Sequence, residues 1–201
     1  MKTDRLFKAL YRLRDFPDSL RADTARGQAF RKRVQKRVVT NSFQDDRILL
    51  SEGQIQTTMY FLNRGFARGF FHNKDTLKEE THILWNDSSF VVAPDSFYQQ
   101  RPSRIAIQVC AGSEVISATL QDMQAVFAEF PEGEIMTRSV PIQYLEMEQW
   151  RSWIVSMPAK ERYQALLKEF PGIERHIKAG DIAFYLNMAP ETLSRIKREI
   201  S

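Results

Sequence analysis

The chain has 201 residues, 43% of them hydrophobic and 11% aromatic, enough apolar material for one large or two modest packed domains and too much for a disordered chain. No window approaches 18 uninterrupted apolar residues, so no membrane-spanning helix is expected, and Met1-Lys-Thr-Asp-Arg5 lacks the apolar stretch of a secretory signal. The net charge of +4 is unevenly spread, because residues 1–45 hold twelve Lys/Arg against five Asp while the remainder is acidic by three.

Residues 3–37 have helical spacing, with Leu6, Leu10 and Leu13 on one side and a break near Phe16-Pro17. The basic run Arg31-Lys-Arg-Val-Gln-Lys-Arg37 either attracts phosphate non-specifically or is a solvated helix and strand surface, and the second reading is preferred.

From Val38 to Leu120 short apolar runs alternate with turn formers: Arg47–Gly53, Met59–Gly65, Phe66–Phe71, Thr81–Trp85, Ile105–Cys110 and Glu114–Ala118. Alternation such as Ile105/Ile107/Val109 is strand-like, and the regular spacing predicts an antiparallel sandwich or jelly roll. Cys110, the single cysteine, excludes an internal disulfide and a four-cysteine iron–sulfur cluster, and a reducing cytoplasm is expected. His72, His82 and His176 are scattered and read as ordinary surface or core residues.

Beyond Leu120 the pattern turns helical again. After Phe130-Pro131, Met136, Val140, Gln143, Met147, Trp150, Ile154 and Met157 follow one another at three- and four-residue spacing, a coiled-coil-like seam. It packs on a partner copy, on the chain's own β-structure, or on both. Pro141 is expected to kink this helix or to mark its true start.

The C-terminal stretch Ala179-Gly-Asp-Ile-Ala-Phe-Tyr-Leu-Asn-Met-Ala-Pro-Glu-Thr-Leu-Ser-Arg-Ile-Lys-Arg198 reads as a helix-turn-helix. Crossing two short helices requires a small residue at their approach, here Ala183, and a tight turn, here at Asn187, the side chain that best tolerates a left-handed backbone after glycine. Leu193 and Ile196 can pack on Ile182 and Leu186, and Pro190 fits a first helical turn. The opposite face of the helix 190–200 then carries Glu191, Thr192, Ser194, Arg195, Lys197 and Arg198, groups that can meet base edges and phosphates.

Asp181-Ile-Ala-x-Tyr-Leu followed by Pro190-Glu-Thr-Leu-Ser-Arg-Ile resembles the C-terminal module of the Crp–Fnr superfamily of bacterial transcription regulators, closest to the short-tailed Bacteroidetes-type branch. Glu161-Arg-Tyr-Gln-Ala-Leu-Leu-x-x-Phe-Pro171 resembles the helix preceding that module. Gly53, Tyr60-Phe-Leu and Gly65 resemble the opening strands of a cyclic-nucleotide-binding-type β-roll.

The resemblance implies an α+β molecule: an antiparallel, cyclic-nucleotide-binding-like jelly roll over 1–130, a connecting and dimerisation helix over 131–157, and a winged-helix-like helix-turn-helix domain over 158–201, its C-terminal wing missing. Its implied partners are double-stranded DNA, a second copy of the chain, RNA polymerase and an unidentified small-molecule effector, with no membrane. Met136, Val140, Met147, Trp150, Ile154 and Met157 would lie on the dimer helix. Glu191 and Arg195 fall where the family reads base edges, Thr192 and Ser194 near phosphates. Pro190 replaces an additional base-reading Arg of the catabolite activators, Ala189 replaces the usual Ser or Thr cap at a cost of about 1 kcal/mol, and Asn187 replaces a Gly.

The family's phosphate cassette is a Gly-Glu pair followed about ten residues later by Arg-Ser or Arg-Thr. Here Ser88–Arg104 has no Gly-Glu pair, and Pro102 interrupts Arg101, Ser103 and Arg104, so an effector pocket at these three is expected to take something other than a cyclic nucleotide. Two other classes remain. A cupin-like enzyme would hold a metal at His72, His82, Glu79 or Glu80, although the expected His-x-His cluster is absent. An interaction module would have kept the β-roll and lost DNA binding. No cofactor and no catalytic group is expected.

Overall fold

The computed structural model describes residues 3–76 and 78–200. Its centre is an eight-stranded antiparallel roll: β1 (Val39–Ser42), β2 (Arg47–Leu50), β3 (Thr58–Arg64), β4 (Ala67–His72), β5 (Glu79–Trp85), β6 (Ser89–Val91), β7 (Ala106–Val109) and β8 (Glu114–Thr119). The strands form two four-stranded sheets, ordered β1-β8-β3-β6 and β2-β7-β4-β5, the jelly-roll arrangement that the sequence predicts. Two short strands, β1 and β6, escaped the sequence reading, as did the helix α3 (Pro94–Gln99). At the β3–β4 corner Gly65 has φ +106°, and a Cβ there would lie 2.2 Å from the Ser113 hydroxyl, so the turn admits glycine alone.

Each sheet is covered on both faces, which is why the strands read as continuous apolar runs rather than clean alternation. In β3, Tyr60 and Leu62 point between the sheets with Trp85, Ile107, Val109 and Val115. Met59 and Phe61 point outward with Phe90 and Ile116, under the N-terminal helices α1 (Asp4–Leu10) and α2 (Ala25–Gln35) and under α4 (Leu120–Glu129). The break near Phe16-Pro17 falls between α1 and α2, and Leu6, Leu10 and Leu13 are all buried as expected. α4 opens with a capping box in which the Thr119 hydroxyl accepts from the Asp122 N–H at 3.0 Å.

The outer face of the other sheet contributes Leu84 and Cys110 to a third core, shared with α6 (Ala159–Glu169), α7 (Ala179–Tyr185) and α8 (Pro190–Ile200). The layers therefore run helices, sheet, sheet, helical module. Among described residues 158–200 there is no strand.

One helix, α5 (Met136–Ile154), touches all three cores in turn: Met136 and Val140 the first, Tyr144 and Met147 the inter-sheet core, Trp150 and Ile154 the third. It follows a 3₁₀ turn at Pro131–Ile135 and continues through Pro141, so the proline does not mark its start. The seam read from the sequence is thus turned inward: Met136, Val140 and Ile154 are buried within the chain, and Met147, Trp150 and Met157 are half-buried against it. Exposed instead are Ile142, Leu145 and Trp153.

In the basic run Arg31–Arg37, most of it on α2, three of the five cations are held by the chain's own carboxylates. Arg31 pairs with Asp4, Arg33 with Glu129, and Arg37 with Asp122 at 3.2 Å.

Candidate nucleic-acid interface and effector cavity

α7 and α8 meet as the sequence predicts. Ala183 is fully buried at their approach, Ile182 and Leu186 pack with Leu193 and Ile196, and Asn187 takes the left-handed conformation with φ +52°. Met188 N–H donates to Ala183 O at 3.0 Å and Asn187 N–H to Phe184 O at 2.9 Å, a Schellman closure with Asn187 in the usual glycine position. The turn's remaining carbonyls are held by two arginines that the sequence did not single out. Arg162 of α6 donates to Leu186 O at 3.0 Å and Asn187 O at 2.9 Å, and Arg151 of α5 donates to Tyr185 O at 3.0 Å.

With Leu193 and Ile196 anchoring one side of α8, its other side faces solvent. Glu191, Ser194, Arg195 and Arg198 are exposed, and Thr192 is half-buried at the margin. Lys197 departs from the expected set. Its ammonium pairs with Glu174 and lies 5.9 Å from the centre of the Tyr163 ring, while the Tyr163 hydroxyl donates to Glu174 at 2.5 Å. The Lys197 contact, then the Tyr163 hydrogen bond, hold the Glu174 carboxyl below its ordinary pKa.

The module is tied to the roll through a buried arginine. Arg68 of β4, 5% exposed, donates from Nε to Gln108 at 2.6 Å, pairs with Glu79, and reaches Asp181 of α7 at 3.1 Å. Burial raises the Asp181 pKa, and Arg68 opposes that shift. His176 lies against Phe66, centroids 4.9 Å apart, and Asn86 donates to Glu169 O at 2.9 Å.

A cavity of about 680 Å³ opens between the roll and α5. Of the three effector residues expected from sequence, Arg104 and Ser103 line it, whereas Arg101 does not. The Ser103 hydroxyl is spent on the Ile105 carbonyl at 2.7 Å, and the exposed Arg104 pairs with Asp95 at 2.5 Å. The lining that sequence missed comes from distant elements: Glu52, His72, His82, Tyr144 and Glu148. His82 meets Glu148 at 2.8 Å and His72 meets Glu52 at 3.2 Å, each bridging two separate segments.

The ligand set weighed for a cupin-like enzyme does not converge. His72 and His82 turn to different carboxylates, Glu79 to Arg68 and Glu80 to Asn73. Among the described residues no group of three or more His, Cys, Asp or Glu is placed to hold a metal ion, and no helix is long and apolar enough to cross a membrane.

No protein-family model matches the sequence, and no curated protein does. The fold, in contrast, matches solved structures along most of its length. FixK2 from Bradyrhizobium japonicum superimposes with a TM-score of 0.65 at 14% identity, covering 81% of this chain and 84% of that one. The c-di-GMP-responsive global regulator CLP of Xanthomonas campestris gives 0.64 at 11% identity, covering 86% and 91%. A Crp/Fnr-family transcriptional regulator from Eubacterium rectale gives 0.64 at 16%, covering 86% and 82%. The chain has the fold of the Crp/Fnr-family regulators.

Proposed function

We propose that the protein is a homodimeric, sequence-specific DNA-binding transcription regulator that reads a pseudo-palindromic operator with α8. The observation that carries this reading is the division of α8 into two faces, Leu193 and Ile196 locked into the core and Glu191, Ser194, Arg195 and Arg198 presented to solvent. Arg195 suits guanine O6/N7 and Glu191 suits cytosine N4, while Ser194, Arg198 and the margin residue Thr192 suit phosphates. Pairing of two copies is assigned to the outward side of α5, where Ile142, Leu145 and Trp153 stay exposed at three- to eight-residue intervals. The roll over 1–130 would serve as sensor, α5 with its flanks over 131–157 as connector, and 158–201 as DNA-binding unit in the cytoplasm, with RNA polymerase as the downstream partner. The cavity between roll and α5 is the place assigned to an effector.

Selection of bound DNA from a random pool at two salt concentrations tests this reading. The expected result is a palindromic consensus with half-sites about 10–10.5 base pairs apart, enriched at both concentrations. A pool that emerges without a consensus overturns it.

A further inference from the structure

We propose that Glu148 and Arg151 of α5 form a two-position latch through which the cavity wall sets how firmly the helix-turn-helix turn is held. The latch rests on the assignment of that cavity to an effector. Its cavity end is built by a bulge in β5. Ile83 pairs with Gly69 and Thr81 with Phe70, which leaves His82 without an opposite residue. Regular alternation would put Thr81 and Ile83 on one face of the sheet, and the extra residue separates them. Thr81 accepts from Arg68 on the outer face at 3.3 Å, and Ile83 enters the inter-sheet core. His82 is left to line the cavity, where its Nε2 meets the Glu148 carboxylate at 2.8 Å.

The other end is one turn further along α5. Arg151 Nε donates to the Tyr185 carbonyl at 3.0 Å, and the guanidinium lies 5.2 Å from the centre of the Tyr185 ring. Tyr185 ends α7, where a helix leaves carbonyls without intrahelical donors, and a cation there gains from both the hydrogen bond and the helix dipole. Burial lowers the Arg151 pKa, and the charges of Tyr185 and Glu148 oppose that shift. Residues three apart on a helix are neighbours, so Glu148 has two partners within reach, His82 on the roll and Arg151 on its own helix. Arg151 in turn has the Tyr185 carbonyl and the Glu148 carboxylate. Leu193 and Ile196 anchor α8 through apolar contacts that carry no direction, so its orientation depends on the bonds at the turn. A guest that takes the His82 nitrogen frees Glu148 to turn to Arg151, and the Tyr185 carbonyl loses its donor.

Amide hydrogen exchange of the full chain reads the latch at Asn187 and Met188, whose N–H groups close the turn onto Phe184 O at 2.9 Å and Ala183 O at 3.0 Å. Rates are taken relative to Phe61 of β3, which reports global unfolding. Arg151→Leu should speed exchange at the turn about tenfold, as loss of one charge-assisted hydrogen bond requires. His82→Leu stands in for a guest by removing the roll partner of Glu148, and should speed exchange about threefold, the scale of a partly exposed pair. Adding Glu148→Gln, which has no charge to offer Arg151, should return the rate to that of the wild type. His82→Leu should have no effect in the Arg151→Leu background. Unchanged exchange in Arg151→Leu overturns the proposal. So does an effect of His82→Leu that is absent from the start, or that persists alongside Glu148→Gln or Arg151→Leu. None of these measurements uses DNA, so a chain that selects no operator would remove the regulator reading and leave this test standing.

Discussion

Arg195, Arg198 and Lys197 share one turn of α8, yet three different outcomes are expected from removing them. The Arg195 guanidinium is a planar fork free in solvent, and Arg195→Ala should relax base preference at one position of each half-site, at about 1–3 kcal/mol per half-site. Arg198→Ala should weaken operator and scrambled DNA alike and reduce the salt slope by about 1. Fluorescence anisotropy on both DNAs across a salt series separates the two effects. Lys197→Ala should leave the salt slope unchanged and lower stability by up to about 1 kcal/mol, because its partly exposed charge is committed to Glu174. The pH dependence follows from the sign of the Glu174 shift. A carboxyl held low in the folded state contributes stability above its ordinary range and loses it as pH falls through the folded value, so Lys197→Ala should flatten the acid limb of the urea-unfolding profile. That Arg195 and Glu191 lie exposed on α8 was legible in the sequence, because helical spacing is local. It did not place Lys197, whose partner lies 23 residues upstream and is brought close only by the packing of α6 and α8.

At the scale of the element, α5 separates what a periodic sequence says from what it leaves open. Spacing of three and four residues established a helix with an apolar side, and that helix exists. What covers that side was the open question; the chain's own three cores bury Met136, Val140 and Ile154 and half-bury Met147, Trp150 and Met157. Two variants should therefore behave oppositely. Ile154→Ala, at a fully buried position, should cost about 2–5 kcal/mol of unfolding stability while the folded protein keeps its association state. Ile142→Glu combined with Trp153→Glu should leave stability within about 0.5 kcal/mol and convert dimers to monomers in sedimentation velocity. Persistence of the dimer in the double variant would place the partner surface elsewhere.

At the scale of the whole molecule, the helix-turn-helix module is docked on the outer face of the β2-β7-β4-β5 sheet, and Arg68 sits at that contact between Glu79 and Asp181. Arg68→Leu removes the cation and leaves two carboxylates facing each other, at an expected cost of about 3 kcal/mol at pH 7. Asp181 already has a raised pKa from burial, and a group whose folded pKa is raised is penalised when ionised and relieved as pH falls through that value. The Arg68→Leu deficit should therefore shrink between pH 7 and pH 5 in urea unfolding, and a deficit independent of pH would remove Asp181 from the account. Cys110 belongs to the same contact, with its thiol pushed up to about 12 chiefly by burial.

The roll, the spanning helix and the terminal hairpin of helices were legible along the chain, because each leaves its signal within a short window: turn formers between apolar runs, an apolar period, a small residue and a left-handed turn at fixed offsets. Packing in three dimensions settled which face of α5 the chain leaves exposed, which of the α8 cations pairs inside the chain, and that β4, β5, α3 and α5 line the cavity along with Ser103 and Arg104 but without Arg101. Those outcomes depend on contacts between residues tens of positions apart. A carboxylate or an apolar wall acts through space on whatever folding brings within a few ångströms, and periodicity along the chain does not encode that meeting.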